Sequence, residues 1–227
     1  MTALTLGTVF LHYYTCLTPS PSQLRRMLMN RQACSNSKIA GASFTISPMS
    51  DDFVNIILGS LEKVDTSKVW MKTDDVTTTV RGKLVHVFDV TKAIFMVAAK
   101  TGEHVSFQAT YSLGCPGDSE GDAYMTEDDD PANKSLTQDV RQYVASKFSL
   151  YPLGGGNYMD IIYDQIEEMK KFVDVTHAHY STRLDGDIKD IFTGLESVFR
   201  ATVDGGSNHT VMTVSISANS PSHQSKA

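Results

Sequence analysis

The sequence predicts an α+β fold made of two tandem βαββαβ units with antiparallel sheets. Three observations carry this. A block from about Ala40 to Gly117 recurs from about Ala145 to Ser222 at an offset of 104 or 105 residues. The apolar periodicity inside each block switches between two and 3.6 residues. Turn and cap residues fall between the switches. The repeat is carried by matched pairs: Phe44 and Phe148, Pro48 and Pro152, Ile56 and Ile161, Gly82 and Gly186, Phe88 and Phe192, Phe95 and Phe199, His104 and His209. A repeat this long is a whole small domain, not one turn of a solenoid.

Taken in order, Ala42 to Ile46 alternates as a short strand ended by Pro48, and Lys147 to Tyr151 ended by Pro152 is its copy. Ser50-Asp51-Asp52 is expected to cap a helix whose apolar positions are Phe53, Ile56, Ile57 and Leu61. Its copy, entered through Gly154-Gly155-Gly156-Asn157, has Tyr158, Ile161, Ile162 and Ile166. Val69 to Met71 and Val76 to Val80 read as a hairpin around Thr73-Asp74-Asp75. Arg81-Gly82 and Asp185-Gly186 read as turns into the second helix. That helix shows one face of Leu84, Val87, Phe88, Thr91, Phe95 and Ala98, copied by Ile188, Ile191, Phe192, Leu195, Phe199 and Thr202. Gly102 and Gly205-Gly206 stop the two copies. The last strand alternates from Val105 to Leu113, and again from Met212 to Ala218.

This order is the ferredoxin-like, split βαβ arrangement, in which two helices cover one face of a four-stranded antiparallel sheet. The other face carries small polar residues here, and must meet solvent, another sheet or a ligand. Pattern alone leaves open whether the two sheets join edge to edge or stack.

The expected domain organisation is an N-terminal extension over 1–38, a first repeat over 39–117, an acidic linker over 118–143, a second repeat over 144–222 and a tail over 223–227. The extension contains a fairly apolar stretch from Leu4 to Leu17, too short to span a bilayer, followed by Arg25, Arg26 and Arg31. Three readings of it stand: a poorly ordered extension, a targeting segment, or a start at Met27 or Met29. The linker holds seven acids and no base between Asp118 and Asp130, and reads as solvated.

The 227 residues carry a net charge of −6, and those after residue 38 carry −10. This argues against nucleic acid as a partner, which demands a basic face. Cys16, Cys34 and Cys115 are odd in number and show no metal spacing, so they read as free thiols of a reducing, cytoplasmic compartment. No catalytic signature is present, and neither a catalytic residue nor a metal ligand is expected. His177 and His179, two apart, would share a face on a strand, either as a metal pair or as part of a polar sheet face. Trp70, the single tryptophan, precedes Thr73, Asp74, Thr77, Thr78 and Thr79. An indole beside hydroxyls and a carboxylate can hold a flat heteroaromatic ring; equally, threonine is a good strand residue and Trp70 a core candidate.

Long strings in register resemble the YkoF family. They are Ser47-Pro-Met-Ser-Asp-Asp-Phe53, Val64-Asp-Thr-Ser-Lys-Val-Trp70-Met-Lys-Thr-Asp74, His86-Val-Phe-Asp-Val-Thr-Lys-Ala-Ile94, Ser112-Leu-Gly-Cys-Pro-Gly-Asp118 with Gly121-Asp122-Ala-Tyr124, Leu184-Asp-Gly-Asp187, Leu195-Glu-Ser-Val-Phe-Arg200 and Val214-Ser-Ile-Ser-Ala-Asn-Ser-Pro-Ser222. The resemblance runs from about Ile39 to Ser222. It implies non-enzymatic binding of thiamine and its hydroxymethylpyrimidine precursor, one site per repeat and no cofactor. It also implies a homodimer and a link to uptake through membrane transporter components.

Candidate ligand residues are Trp70, Thr73, Asp74, Thr79 and Asp118 for the first repeat, and His177, His179, Ser181 and Asn219 for the second. Arg183 lies in the same region. Two other classes are kept: a small-molecule-responsive regulatory module, and a thiamine-salvage enzyme using Cys115 or His179.

Overall fold

The computed structural model describes residues 20, 38–115, 124–153 and 156–226; the N-terminal extension otherwise lies outside the described residues. The first repeat consists of β1 (Ala40–Pro48), α1 (Phe53–Lys63), β2 (Trp70–Thr73), β3 (Thr78–Gly82), α2 (Leu84–Ala99) and β4 (Val105–Leu113). A short helix, α3 (Lys134–Thr137), precedes the second: β5 (Tyr143–Leu153), α4 (Tyr158–Met169), β6 (Asp174–Ala178), β7 (Ser181–Asp187), α5 (Ile188–Asp204) and β8 (His209–Ala218). Both are ferredoxin-like units. Gly82 and Gly186 were expected in turns, but β3 and β7 extend through them, because β1 and β5 go on pairing as far as Ala40 and Tyr143. No helix among the described residues is long and apolar enough to cross a membrane.

Among the described residues, eight strands form one antiparallel sheet in the order β2-β3-β1-β4-β8-β5-β7-β6. The two repeats therefore join edge to edge at β4 and β8, which pair from Val105–Ala218 to Leu113–Thr210. This removes one exposed edge from each repeat. Strict alternation decides what each face carries. Val105, Phe107, Tyr111, Met212 and Ile216 point toward the helices and are buried. Ser106, Gln108, Thr110, Thr213 and Ser215 point the other way.

The core crosses the seam. Phe107 of β4 packs on Phe95 of α2 at 5.2 Å and on Phe192 of α5 at 5.9 Å between ring centroids. Phe88 stacks on Tyr111 at 4.3 Å and meets Phe199 edge-on at 6.2 Å. Tyr111 is fully buried, and its hydroxyl lies 2.9 Å from Thr91 Oγ1, which also bonds the carbonyls of Val87 and Phe88. Burial pushes the Tyr111 phenol far above the usual tyrosine range. Volume is exchanged between the copies: Gly194 of α5 stands where α2 has Val90, and Met169 fills the space, with its sulfur 2.9 Å from a Cβ built at Gly194.

The repeats end on equivalent left-handed residues, Gly114 (φ 82°) and Asn219 (φ 55°). Each reaches across the seam. A Cβ at Gly114 would lie 2.1 Å from the Asn208 carbonyl oxygen, so only glycine fits. Asn219 instead uses its side chain. Its Nδ2 donates to the carbonyls of Ala99 and Glu103, each at 2.8 Å, and its Oδ1 accepts from Gln142 Nε2.

Two local expectations are corrected. Asp52 precedes α1 but makes no side-chain cap, because its Oδ1 is taken by Asn55 Nδ2. Asp187 does cap α5, accepting from the Lys189 amide at 2.9 Å. The acidic segment, read as solvated, is held against the body where it is described. Lys68 reaches Asp128 Oδ1 at 2.7 Å and the Asp130 carbonyl at 2.9 Å. His86 Nε2 donates to the Asp128 carbonyl at 2.7 Å, and Lys83 pairs with Asp129 at 3.0 Å. Asn133 is buried and donates through its amide and Nδ2 to Asp89 Oδ2, at 3.0 and 2.8 Å. The Lys68 ammonium beside Asp128 holds that carboxyl below the usual aspartate range.

Candidate functional site

In each repeat the first strand is longer than its hairpin partner. Pairing of β1 with β3 stops at Phe44–Thr78, while pairing with β4 continues to Pro48. Beyond Phe44 one edge of β1 is therefore unpaired, and the tip of the β2–β3 hairpin stands over it. Helix α1 closes the third side. The result is a cavity of about 170 Å³, walled by Phe44, Ile46, Ile57 and Leu61 and rimmed by the hairpin tip, Thr73 to Thr78. Ile56, Ile57 and Leu61 are only partly buried, so α1 leaves part of its apolar face uncovered here.

The rim is ordered by its own hydrogen bonds. Asp74 Oδ1 accepts from the amides of Val76 (2.8 Å) and Thr77 (2.9 Å), and the Asp74 amide donates to the Thr77 carbonyl. Thr73 and Thr78 hydroxyls lie 2.9 Å apart, and Ser43 Oγ donates to Thr77 Oγ1 at 3.0 Å. The Thr77 and Val76 amides hold the Asp74 carboxyl below the usual aspartate range, so it is an anion at neutral pH. Asp74 Oδ2 has no partner among the described residues. Apolar walls with hydroxyl and carboxylate acceptors at one end suit a flat ring bearing an amine.

A second, shallower hollow of about 340 Å³ lies on the helix-free face of the sheet. Ser43, Thr45, Thr77, Gln108, Thr110, Thr213 and Ser215 supply its polar lining. It meets the hairpin cavity at Phe44, Thr45 and Thr77.

The second repeat reproduces the frame with different chemistry. Pairing of β5 with β7 stops at Phe148–Thr182, while β5 continues beside β8 to Leu153. Leu150, Ile162 and Ile166 stand where the first repeat has Ile46, Ile57 and Leu61. At the hairpin, Ala178, His179, Tyr180 and Ser181 replace Asp74, Asp75, Val76 and Thr77. Tyr180 is left-handed (φ 64°) and fully exposed.

The candidate residues do not all gather. Thr73 and Asp74 line the hairpin cavity. Trp70 and Thr79 lie on the opposite, helix-free face, where Trp70 is the register partner of Arg81 and the guanidinium stands 5.6 Å from its ring centroid. The indole is 38% exposed and is not a core residue. His177 lies on β6 opposite Thr182, but His179 is in the turn, so the pair does not share a strand face. Ser181 begins β7 and donates to the His179 carbonyl. Arg183 is committed to Asp185 through two hydrogen bonds of 2.7 Å, beside Tyr143, and Asp185 raises it above the usual guanidinium range. Asn219 is spent on joining the repeats, away from the hairpin. Asp118 lies outside the described residues.

Sequence reasoning missed the apolar walls, Phe44, Ile46, Ile57 and Leu61, because they look like ordinary core. Among the described residues no group of three or more His, Cys, Asp or Glu could hold a metal ion, and Cys115 is an exposed thiol.

A family model described as the YKOF-related Family matches residues 39–118 and 143–223, one match to each repeat. A relative from Bacillus subtilis (strain 168), named "Putative HMP/thiamine-binding protein YkoF", is 42% identical over 194 residues, which cover 85% of this chain and 96% of the relative.

Proposed function

Since this chain belongs to the YKOF-related family, we propose that it binds thiamine and its hydroxymethylpyrimidine precursor without transforming them, one ligand in the hairpin cavity of each repeat. The observation that carries this is the 42% identity, over nearly the full length of the relative, to a protein named for that binding. The hairpin cavity supports the placement. Its apolar walls can clamp a pyrimidine ring, while Thr73, Thr78 and the free oxygen of Asp74 meet the ring nitrogens and exocyclic amine. In the second repeat His177 and Thr182 stand where Thr73 and Thr78 do, Ala178 replaces Asp74, and His179 at the turn offers the nearest polar side chain after it.

The wider role that fits is delivery of the pyrimidine or thiamine after uptake, by a cytoplasmic homodimer working beside a transporter. Isothermal titration of the full chain with each ligand tests the binding. Saturation near two ligands per chain, with both recovered unchanged, is expected. No binding to either removes the reading, and conversion of either ligand would make the protein an enzyme.

A further inference from the structure

We infer that the first-repeat cavity takes the pyrimidine as its free alcohol and excludes the phosphate ester, with Asp75 and Asp74 as the discriminating groups. This rests on the functional reading above and specifies which form of ligand that site accepts. The argument begins with charge. Among the described residues, the only ionisable side chains lining the hairpin cavity are the two carboxylates, Asp74 and Asp75. The adjoining hollow is lined by hydroxyls, one amide and apolar groups, with no charged residue. A ring seated between Phe44, Ile57 and Leu61 can send its substituent past the hairpin tip, or between Thr45 and Thr77 into that hollow. Among the described residues neither lining includes a cation; the nearest to the hollow is Lys147 of β5, opposite Ser215 at its far rim.

Sites that hold phosphate supply Arg or Lys side chains, or free backbone amides. At the hairpin tip, the amides of Val76 and Thr77 are already taken by Asp74 Oδ1. The cation nearest in sequence is Lys72. Its charge reaches Asp74, but it lies on the helix-free face opposite Thr79 and lines neither cavity. A phosphate at the hairpin tip would therefore lose its hydration shell for carboxylates, and one in the hollow would meet neutral hydroxyls, with Lys147 only at the far rim.

Asp75 marks this as a property of the ligand site rather than of the turn. Asp74 closes the turn, whereas Asp75 makes no hydrogen bond or ion pair among the described residues. The second repeat builds a hairpin of the same length with Ala178 and His179 at these two positions. The fold does not demand an acid at either, so the pair of acids is a choice made in the first repeat alone.

The test is titration of the full chain with hydroxymethylpyrimidine and with its phosphate monoester, read as the ratio of the two affinities. The wild-type ratio is expected to favour the alcohol by on the order of tenfold, and to shrink as salt screens the rim. Asp75→Lys is expected to lower that ratio by a further order of magnitude or so, and the near-isosteric Asp75→Asn to lower it about fivefold. A wild-type ratio near one overturns the inference. So does a ratio unmoved by both substitutions while the alcohol still binds. Wild-type protein that binds neither compound instead removes the functional reading on which the inference depends.

Discussion

Ala109 and Val214 face each other across the β4–β8 seam, and they are also equivalent residues of the two repeats, 105 positions apart. A pseudo-two-fold axis therefore passes between them. Both are buried, and the aromatic cluster on their helix side draws Phe95 and Phe107 from one repeat and Phe192 from the other. Such a seam is part of one core, not a contact between two independent domains.

Unfolding should accordingly be a single transition. Trp70 fluorescence reports only the first repeat, while far-ultraviolet circular dichroism reports both. The two probes are expected to give the same denaturant midpoint. Separated midpoints would mean that the repeats fold independently despite the shared sheet.

Gly114→Ala should be strongly destabilising, by about 2–4 kcal/mol, because its new Cβ meets the Asn208 carbonyl and its φ is left-handed. Asn219→Gly keeps the permitted backbone and removes only side-chain hydrogen bonds, so about 1–2 kcal/mol is expected. Urea unfolding of the two variants measures the order, and the reverse order would contradict the equivalence of the two positions.

Asn133→Ala should cost about 2–4 kcal/mol, although it lies in a segment that reads as linker. It removes the Nδ2 donor from Asp89 Oδ2 in a buried site, leaving only the backbone amide there, and cuts both side-chain ties to Asp65. Limited proteolysis between 124 and 137 should become faster in the same variant. A change within about 0.5 kcal/mol, the range of an ordinary surface substitution, would show that the segment is not held as described.

Asp74 should titrate below the ordinary aspartate value of about 3.9. Its folded-state pKa is lowered, so its contribution to the hairpin is fully present above the unfolded value and is lost as pH falls through the folded one. NMR titration should show the Val76 and Thr77 amides moving together with the Asp74 carboxyl at low pH. An Asp74 that titrates at or above the ordinary value would mean that the two amides do not bind it.

Much of this fold was legible because the signal is local. The helix-facing alternation of Val105, Phe107, Ala109, Tyr111 and Leu113, and the matched helices carrying Phe88, Phe95, Phe192 and Phe199, specify element type and buried face without reference to anything distant. The candidate site was legible only in part. Thr73 and Asp74 could be placed at the hairpin tip, but Trp70 and Thr79 fell on the other face. A strand reverses face at every residue, so the register against β3 and β1 decides which residues meet.

By itself, the sequence determined two copies of one βαββαβ unit, the order of their elements and the division of each strand into an apolar and a polar side. Tertiary structure alone decided that the copies join through β4 and β8, that Asn133 docks beneath the acidic segment, and that β1 outruns its hairpin to open a cavity. The physical reason is that periodicity is written in side chains, residue by residue. Edge pairing uses the amide and carbonyl groups that nearly every residue carries, so no side-chain pattern announces which edges will meet.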